Sequence, residues 1–188
     1  MLILGVDPGS RKAGFSLIQL QGKKSIYVDS FTVRYDVKLS FLDRLGRIYN
    51  SCSQIIDDFS PNEIAIESLV HVKNVSSLAK LAQARGAMIG AFMQTHEGKV
   101  FEYSPNFVKA SVTSYGHASK EAVQRALNSI FGEKDYDSDD ESDALAIAFC
   151  HSISRSSWRQ KSRNVLEKPL YNKGSSLKSF AKAYRGKV

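Results

Sequence analysis

The 188-residue sequence contains two cysteines, four prolines, one tryptophan and no long apolar run. Cys52 and Cys150 fall in separate apolar helical patterns, which excludes a disulfide framework and indicates reduced core thiols. No apolar run approaches the roughly 20 residues of a membrane-spanning helix, and the opening run of residues 1–6 is shorter than the apolar core of a secretory signal. We therefore expect a cytoplasmic protein with no membrane segment.

Acidic residues are nearly absent from the end of the chain. Residues 154–188 contain ten Lys or Arg and one acid, Glu167, a net charge of +9, whereas residues 1–153 carry −2. Such a basic segment binds phosphates by releasing counterions, or it keeps a protein soluble. The composition predicts one folded domain over residues 1–153 and a basic C-terminal extension over 154–188 with few apolar residues to order it.

Hydrophobic periodicity divides residues 1–153 into strands and helices. Residues 2–6, 14–20 and 25–33 are predicted strands, the last two joined by a turn around Gly22, so the first three strands should be antiparallel. Crossover helices then alternate with strands, which predicts parallel pairing in the later part of the sheet. The fold class is therefore α/β with a mixed five-stranded sheet flanked by helices. The later predicted elements are a helix at 40–59, a strand at 63–66, a helix capped by Asn74 with an apolar stripe from Val75 to Phe92, a strand at 100–103, helices starting at Ser104-Pro105 and Ser119, and a helix at 140–152.

Four carboxylates fall at the ends of these elements. Asp7 ends the first strand and Glu67 ends the fourth, so parallel pairing would place the two strand ends about 4.8 Å apart at one edge of the sheet. Asp140 and Asp143 share a face near the start of the last helix. Residues 144–149 (ALAIAF) are wholly apolar, which predicts that this helix is buried against the sheet. All four carboxylates should then converge.

Converging carboxylates favour a metal site. Two of them about 4 Å apart repel by roughly 4 kcal/mol at an effective dielectric near 20, so four would not all ionise without a cation. Oxygen ligands without a Cys or His cluster suit Mg²⁺ or Mn²⁺ rather than zinc. Each residue also has a purely structural explanation: Asp7 in an Asp-Pro-Gly turn, Asp140 as a helix cap and Glu67 as a strand end. Their joint placement favours the metal site.

The motifs around these residues resemble the RuvC family of bacterial Holliday junction resolvases, in the ribonuclease H-like superfamily. The resemblance covers residues 2–153 and is specific in order and spacing. The matching segments are ILGVDPGSRKAGF (3–15), AIES (65–68), KNVSSLAKLAQARGA (73–87), FEYSPNFVK (101–109) and DESDALAIAFCH (140–151).

The resemblance implies a function and a set of site residues. Asp7, Glu67, Asp140 and Asp143 match the family's catalytic carboxylates, which hold two Mg²⁺ ions, with Mn²⁺ able to substitute. The implied activity is symmetric hydrolysis of two opposing strands of a four-way DNA junction in recombination and repair, leaving 5′-phosphate products. The implied partners are a second copy of the chain, in a homodimer with two active sites, and the RuvA–RuvB branch-migration complex.

Basic residues near these motifs are candidate DNA contacts. Lys109 and Lys120 resemble positions that the family places near the active site, where they hold phosphates. Lys73, in the loop after Glu67, and Arg85, on the long helix, are further candidates. Val70 stands where well-known members carry a bulky aromatic residue, and valine cannot stack on a base. Junction opening and cleavage-site preference therefore stay open.

Two other interpretations share some of these features. A YqgF-type ribonuclease H-like nuclease acts on RNA and also opens with a strand-end aspartate, but the segments KNVSSLAKLAQARG and DESDALAIA favour the resolvase. A non-cleaving protein that binds junctions through its basic surfaces would use the carboxylates only structurally. The two differ from a resolvase in substrate and in metal-dependent nicking, so cleavage assays discriminate among the three.

Overall fold

The computed structural model describes residues 1–69 and 74–163, the last eight of these as backbone only. The chain divides into two units, Met1–Ser154 and Arg155–Val188. The described residues form five strands and five helices. The strands are β1 (Leu2–Asp7), β2 (Lys12–Gln21), β3 (Lys24–Arg34), β4 (Glu63–Glu67) and β5 (Val100–Tyr103). The helices are α1 (Phe41–Phe59), α2 (Val75–Met93), α3 (Pro105–Thr113), α4 (Lys120–Phe131) and α5 (Asp139–Arg163).

The five strands form one sheet in the order β3-β2-β1-β4-β5. Strands β1 and β3 are antiparallel to β2, and Gly22, with φ at 60°, lies in the turn between β2 and β3. Strand β4 is parallel to β1, and β5 is parallel to β4. Helix α1 connects β3 to β4 and α2 connects β4 to β5, which are the long connections that parallel pairing requires. The predicted mixed sheet, antiparallel first and then parallel, is confirmed.

The main core lies between the sheet and helices α1 and α2. Leu4 and Val6 of β1 pack there with Ile48 of α1 and Met88 of α2. Gly5, between those two strand residues, faces α5 instead, because successive residues of a strand point to opposite faces. The sheet is thus covered on both sides, which explains the continuous apolar character of β1.

Side-chain caps fix where four helices begin, as the sequence predicts for α2, α3 and α4. In each case a Ser or Asn oxygen accepts a hydrogen bond from a backbone N–H in the first turn, which satisfies a donor that the helix itself leaves unpaired. These starts matter because α3 and α4 carry candidate DNA contacts in or just after their first turns. The caps are Ser40 for α1, Asn74 for α2, Ser104 for α3 and Ser119 for α4.

Helix α5 is longer than predicted. It begins at Asp139, one residue early, and its backbone stays helical to Arg163 rather than ending near Ser152. The sequence from 139 to 163 contains no proline or glycine, so nothing breaks the helix once the apolar segment ends. Residues 144–148 are all buried, which confirms that the helix packs against the sheet.

The predicted apolar stripe of α2 is only partly buried. Met88 and Phe92 are fully buried, and Ala84 and Ala91 join them. Val75, by contrast, is 76% exposed, so the prediction that it faces the core is wrong. Within the described residues, nothing buries the first turn of the helix.

The two cysteines are free and buried, as expected of core thiols. Burial raises the pKa of Cys52 to about 12 and that of Cys150 to about 11, which keeps both in the unreactive thiol form. Within residues 1–69 and 74–163, no helix combines the length and the apolar character needed to span a bilayer.

Candidate active site

Asp7 and Glu67 lie side by side at the edge where the parallel strands end. Val6 pairs with Ile66 in the β1–β4 ladder, so the next residue of each strand leaves the sheet at the same level. Glu67 also pairs with Tyr103 of β5, and the Ser68 N–H donates to the Tyr103 carbonyl at 2.8 Å. The strands therefore fix the backbone of both acidic residues, as the sequence predicts.

Two glycines bring Asp140 and Asp143 to the same edge. A Cβ at Gly14 would lie 1.9 Å from the Asp140 carbonyl oxygen, and a Cβ at Gly5 would lie 2.2 Å from the Ala144 oxygen. Any side chain at either position would push the start of α5 off the sheet. Because Gly14 is the ladder partner of Asp7, this close contact sets α5 directly beside the end of β1.

Burial and repulsion between carboxylates raise the pKa of Asp7, Glu67 and Asp143. The pKa of Asp7 is raised to about 8, mainly by burial and then by Glu67, Asp143 and Asp140. Burial and Asp143 raise the pKa of Glu67 to about 7, while Lys109 opposes the shift. Burial also raises the pKa of Asp143, against the effect of Lys120. All four carboxylates thus share one electrostatic site.

Lysines partly neutralise the aspartates at the start of α5. Lys12, at the start of β2, forms an ion pair with Asp140, which also accepts a hydrogen bond from Ser138 Oγ at 3.1 Å. Lys120 Nζ lies 3.0 Å from Asp143 Oδ2 and 3.2 Å from Asp139 Oδ2. No such ion pair involves Asp7 or Glu67 in the described part of the chain.

A cavity of about 190 Å³ opens beside the carboxylates. Glu67 and Asp143 line it together with Lys109 of α3 and Lys120 of α4, and its other wall is apolar. Two cations and two carboxylates facing one small cavity can hold an anionic group next to the acids. The apolar wall consists of Pro105, Val108, Val123 and Ala146.

Arg85 contacts the end of β4 rather than solvent. Its side chain is 11% exposed, its Nε donates to the Glu67 carbonyl oxygen at 2.8 Å, and its Nη2 lies 2.7 Å from Glu102 Oε2. The guanidinium therefore ties α2 to the ends of β4 and β5. Lys73 and Val70, the other residues of interest in this region, lie outside the described residues.

The donor set fits a hard divalent cation. Asp7 lies within electrostatic range of Glu67, Asp140 and Asp143, with no cysteine or histidine in the set, and the mutual repulsion of these carboxylates favours a bound cation of high charge. In the described residues, no three acidic, His or Cys side chains are grouped as they would be around an ion. Lys12 and Lys120 hold Asp140 and Asp143 instead, and a divalent cation would compete with these ammonium groups for the same oxygens.

Sequence reasoning missed the role of Lys12 and of the two glycines. Lys12 begins β2, the strand antiparallel to β1, and therefore lies at the edge of the sheet where β1 ends with Asp7. This closeness to Asp7 is the signal in the sequence that could have identified Lys12 as a site residue. His151 is fully buried. Its Nδ1 lies 2.7 Å from the Tyr103 hydroxyl and its Nε2 lies 2.9 Å from Glu63 Oε2.

The fold and the site together define a class. A mixed sheet of order 3-2-1-4-5, with carboxylates at the ends of β1 and β4 and on the helix across the sheet, is the arrangement of a ribonuclease H-like nuclease. The model of the family described as crossover junction endodeoxyribonuclease RuvC matches residues 3–151. The chain belongs to the RuvC family.

Individual relatives agree with this assignment. RuvC of Trichlorobacter lovleyi is 39% identical over 152 residues, covering 80% of this chain and 84% of the relative. RuvC of Geobacter sulfurreducens is 39% identical over 154 residues, covering 82% and 93%. The structure of Thermus thermophilus RuvC with a Holliday junction substrate superposes with a TM-score of 0.75 at 27% identity, covering 84% of this chain and 96% of that one. The family is one of metal-dependent endodeoxyribonucleases.

Proposed function

We propose that this protein resolves Holliday junctions by symmetric, metal-dependent hydrolysis of two opposing DNA strands, in homologous recombination and DNA repair. The observation that carries the proposal is the convergence of Asp7, Glu67, Asp140 and Asp143 beside a cavity lined by two lysines. The solved RuvC structure that this chain resembles contains a Holliday junction, which supports the same substrate.

The four carboxylates are proposed as both metal ligands and catalytic residues. Two Mg²⁺ ions held by them, or Mn²⁺ in their place, would lower the pKa of an attacking water and offset the charge on the leaving oxygen. Asp7 and Glu67, with pKa values raised to about 8 and 7, must lose their protons to act as ligands, so loading should release protons. The products would carry 5′-phosphates, and no side chain need act as nucleophile.

The lysines of the cavity are proposed to hold the scissile strand. Lys109 and Lys120 face the space next to Glu67 and Asp143, where their charges can bind the non-bridging oxygens of a phosphate. Lys120 would then exchange Asp143 for phosphate when the acid binds metal. Lys73 and Arg85 stay proposed DNA contacts, but Arg85 already binds Glu102 and the Glu67 carbonyl oxygen, so we expect its support of β4 to outweigh any phosphate contact it makes.

A homodimer is proposed because a junction presents two equivalent strands and each chain supplies one site. Exposed apolar side chains before and at the start of α2 support this: Leu69 is 36% exposed and Val75 is 76% exposed, and no described residue buries either of them. A second copy could bury these apolar side chains. The RuvA–RuvB complex is the proposed partner for branch migration, with all three proteins acting on chromosomal DNA in the cytoplasm.

The two-part organisation is also a proposal. Residues 1–153 would form the nuclease domain and residues 154–188 a basic extension that strengthens DNA binding through its net charge of +9. The carboxylates and both cavity lysines lie in the first part, which supports a complete catalytic centre there.

The test is cleavage of a labelled mobile four-way junction, compared with duplex DNA and structured RNA of the same sequence. We expect paired nicks on opposing junction strands in Mg²⁺ and none with chelator. Cleavage of the RNA alone would move the protein to the YqgF-type activity. Tight junction binding without nicks at any Mg²⁺ concentration would make it a non-cleaving junction-binding protein.

A further inference from the structure

A second cavity lies at the same edge of the sheet, on the other side of the carboxylates from Lys109 and Lys120. This arginine groove, of about 550 Å³, lies between the end of β3 and the first half of α1. Its polar lining is Arg34, Tyr35, Asp36, Arg47, Asn50 and Ser51. Both arginines are exposed.

The lining of the groove carries two arginines and one acid, a net charge of +1. Within the described residues, neither Arg34 nor Arg47 forms an ion pair, whereas Lys12, Lys120 and Arg85 each hold a carboxylate. The one acid of the lining, Asp36, accepts a hydrogen bond from the backbone N–H of Lys38 at 2.8 Å. Two guanidinium groups beside one open groove repel each other. An anion bound between them would be attracted by both groups and would relieve their repulsion.

Strand register fixes the distance from the groove to the carboxylates. Asp7 pairs with Gly14, Gly14 pairs with Thr32, and Arg34 follows two residues later. Two strand spacings and two residues along β3 give about 12 Å between the backbones of Asp7 and Arg34. Since phosphates in one strand advance roughly 3.4 Å per base pair along the axis, this corresponds to about three or four base pairs.

In strand order the two cavities lie on opposite sides of the carboxylates, the first on the face of the sheet that α5 covers and the arginine groove on the face that α1 covers. A DNA duplex that passes Lys109 and Lys120 and lies across this end of the sheet reaches the groove beyond β1 and β2. We propose that Arg34 and Arg47 bind phosphates of a junction arm three or four base pairs from the cleaved bond. This inference rests on the proposed junction cleavage and adds a phosphate site to it. Asn50 and Ser51 supply neutral donors for the same backbone.

The test compares two double variants that remove the same charge. Arg34→Gln with Arg47→Gln neutralises the groove, while Lys23→Gln with Lys24→Gln neutralises an exposed pair at the β2–β3 turn, the opposite end of the sheet. Junction affinity is measured against salt with chelator present, so that no cleavage occurs. We expect the groove variant to lower the slope of log K against log salt by about two, and the turn variant to leave it close to wild type.

Neutral methylphosphonates placed singly along one arm locate the contact. Wild type should lose affinity about tenfold at the third or fourth phosphate from the nick, and the groove variant should be insensitive there. Equal slopes for the two double variants, or equal sensitivity of wild type and groove variant to every methylphosphonate, would overturn the proposal. Nicking by wild type in Mg²⁺ is scored separately, so loss of cleavage and loss of the groove contact are distinguishable.

Discussion

Gly14 of β2 lies against the Asp140 carbonyl oxygen so closely that a Cβ at residue 14 would be 1.9 Å from it. The same glycine is the ladder partner of Asp7. One residue without a side chain therefore brings the aspartate of the sheet and the aspartates of α5 together. The site depends on this packing as much as on the acids themselves.

We expect Gly14→Ala to move the start of α5 and to separate the carboxylates. Overpacking of this kind costs about 1–3 kcal/mol of unfolding free energy, and junction cleavage should fall by more than that loss of folded protein explains. The control is Gly46→Ala on α1, where an added Cβ meets nothing within 4 Å. That change should stabilise the protein by about 0.5–1 kcal/mol and leave cleavage intact. Urea unfolding and single-turnover cleavage measure both effects, and wild-type behaviour of Gly14→Ala would contradict the account.

The raised pKa values predict how stability depends on pH without metal. Asp7 and Glu67 titrate near 8 and 7 in the folded protein, against roughly 4 in an unfolded chain. Between these limits the folded state holds protons that the unfolded state releases, so these two groups make stability fall as pH rises from about 4 to 8. Asp7→Asn should remove the part of this loss of stability that is caused by Asp7. The melting temperature of the variant should therefore exceed that of wild type by more at pH 8 than at pH 5.

Thermal melts in chelator from pH 5 to pH 8 measure this difference. Asp57→Asn, on the exposed side of α1, is the matched control and should show a constant offset from wild type. A melting-temperature difference between Asp7→Asn and wild type that does not grow with pH would show that Asp7 is not protonated in the metal-free protein.

Arg85 should matter more to cleavage than to binding. Its Nε holds the backbone oxygen of Glu67, so Arg85→Gln frees the end of β4, and loss of such supporting contacts typically costs about 10- to 100-fold in activity. We expect junction affinity to change less than about threefold. Lys80→Gln removes the same charge from the same helix and should leave the cleavage rate near wild type. A loss of affinity by Arg85→Gln as large as its loss of rate would instead favour a direct phosphate contact.

The basic extension should contribute to binding through charge alone. Replacing the six Lys and Arg of residues 164–188 by Gln keeps the chain length and removes most of the positive charge of the tail. The salt dependence of junction binding should become shallower, because fewer counterions are released. A slope unchanged from wild type would mean that the extension does not bind DNA.

Much of the fold could be predicted because local signals and the global fold agree. Ser40, Asn74 and Ser119 cap helices where a Ser or Asn precedes an apolar period, and the crossover through α1 requires β4 to be parallel to a neighbour. The convergence of Asp7 with Glu67 follows from that pairing. These features depend on chain direction and periodicity, which the sequence carries directly.

Other features depend on contacts that no local pattern records. The ion pair between Lys12 and Asp140 joins residues 128 positions apart in the sequence. The contacts between α5 and the sheet can likewise be identified only from the folded structure. Val75 continues an apolar period yet is exposed, because periodicity identifies an apolar face without identifying what covers it. Helix α5 continues past its apolar segment because nothing stops it.

The measurement that tests the central claim most directly uses four single variants, Asp7→Asn, Glu67→Gln, Asp140→Asn and Asp143→Asn, with Asp57→Asn as control. Each is assayed for junction cleavage in Mg²⁺ and for junction binding in chelator. We predict that all four lose cleavage by at least about a hundredfold while binding the junction as tightly as wild type, and that the control cleaves normally. Cleavage at the wild-type rate by any one of the four would contradict a shared catalytic site.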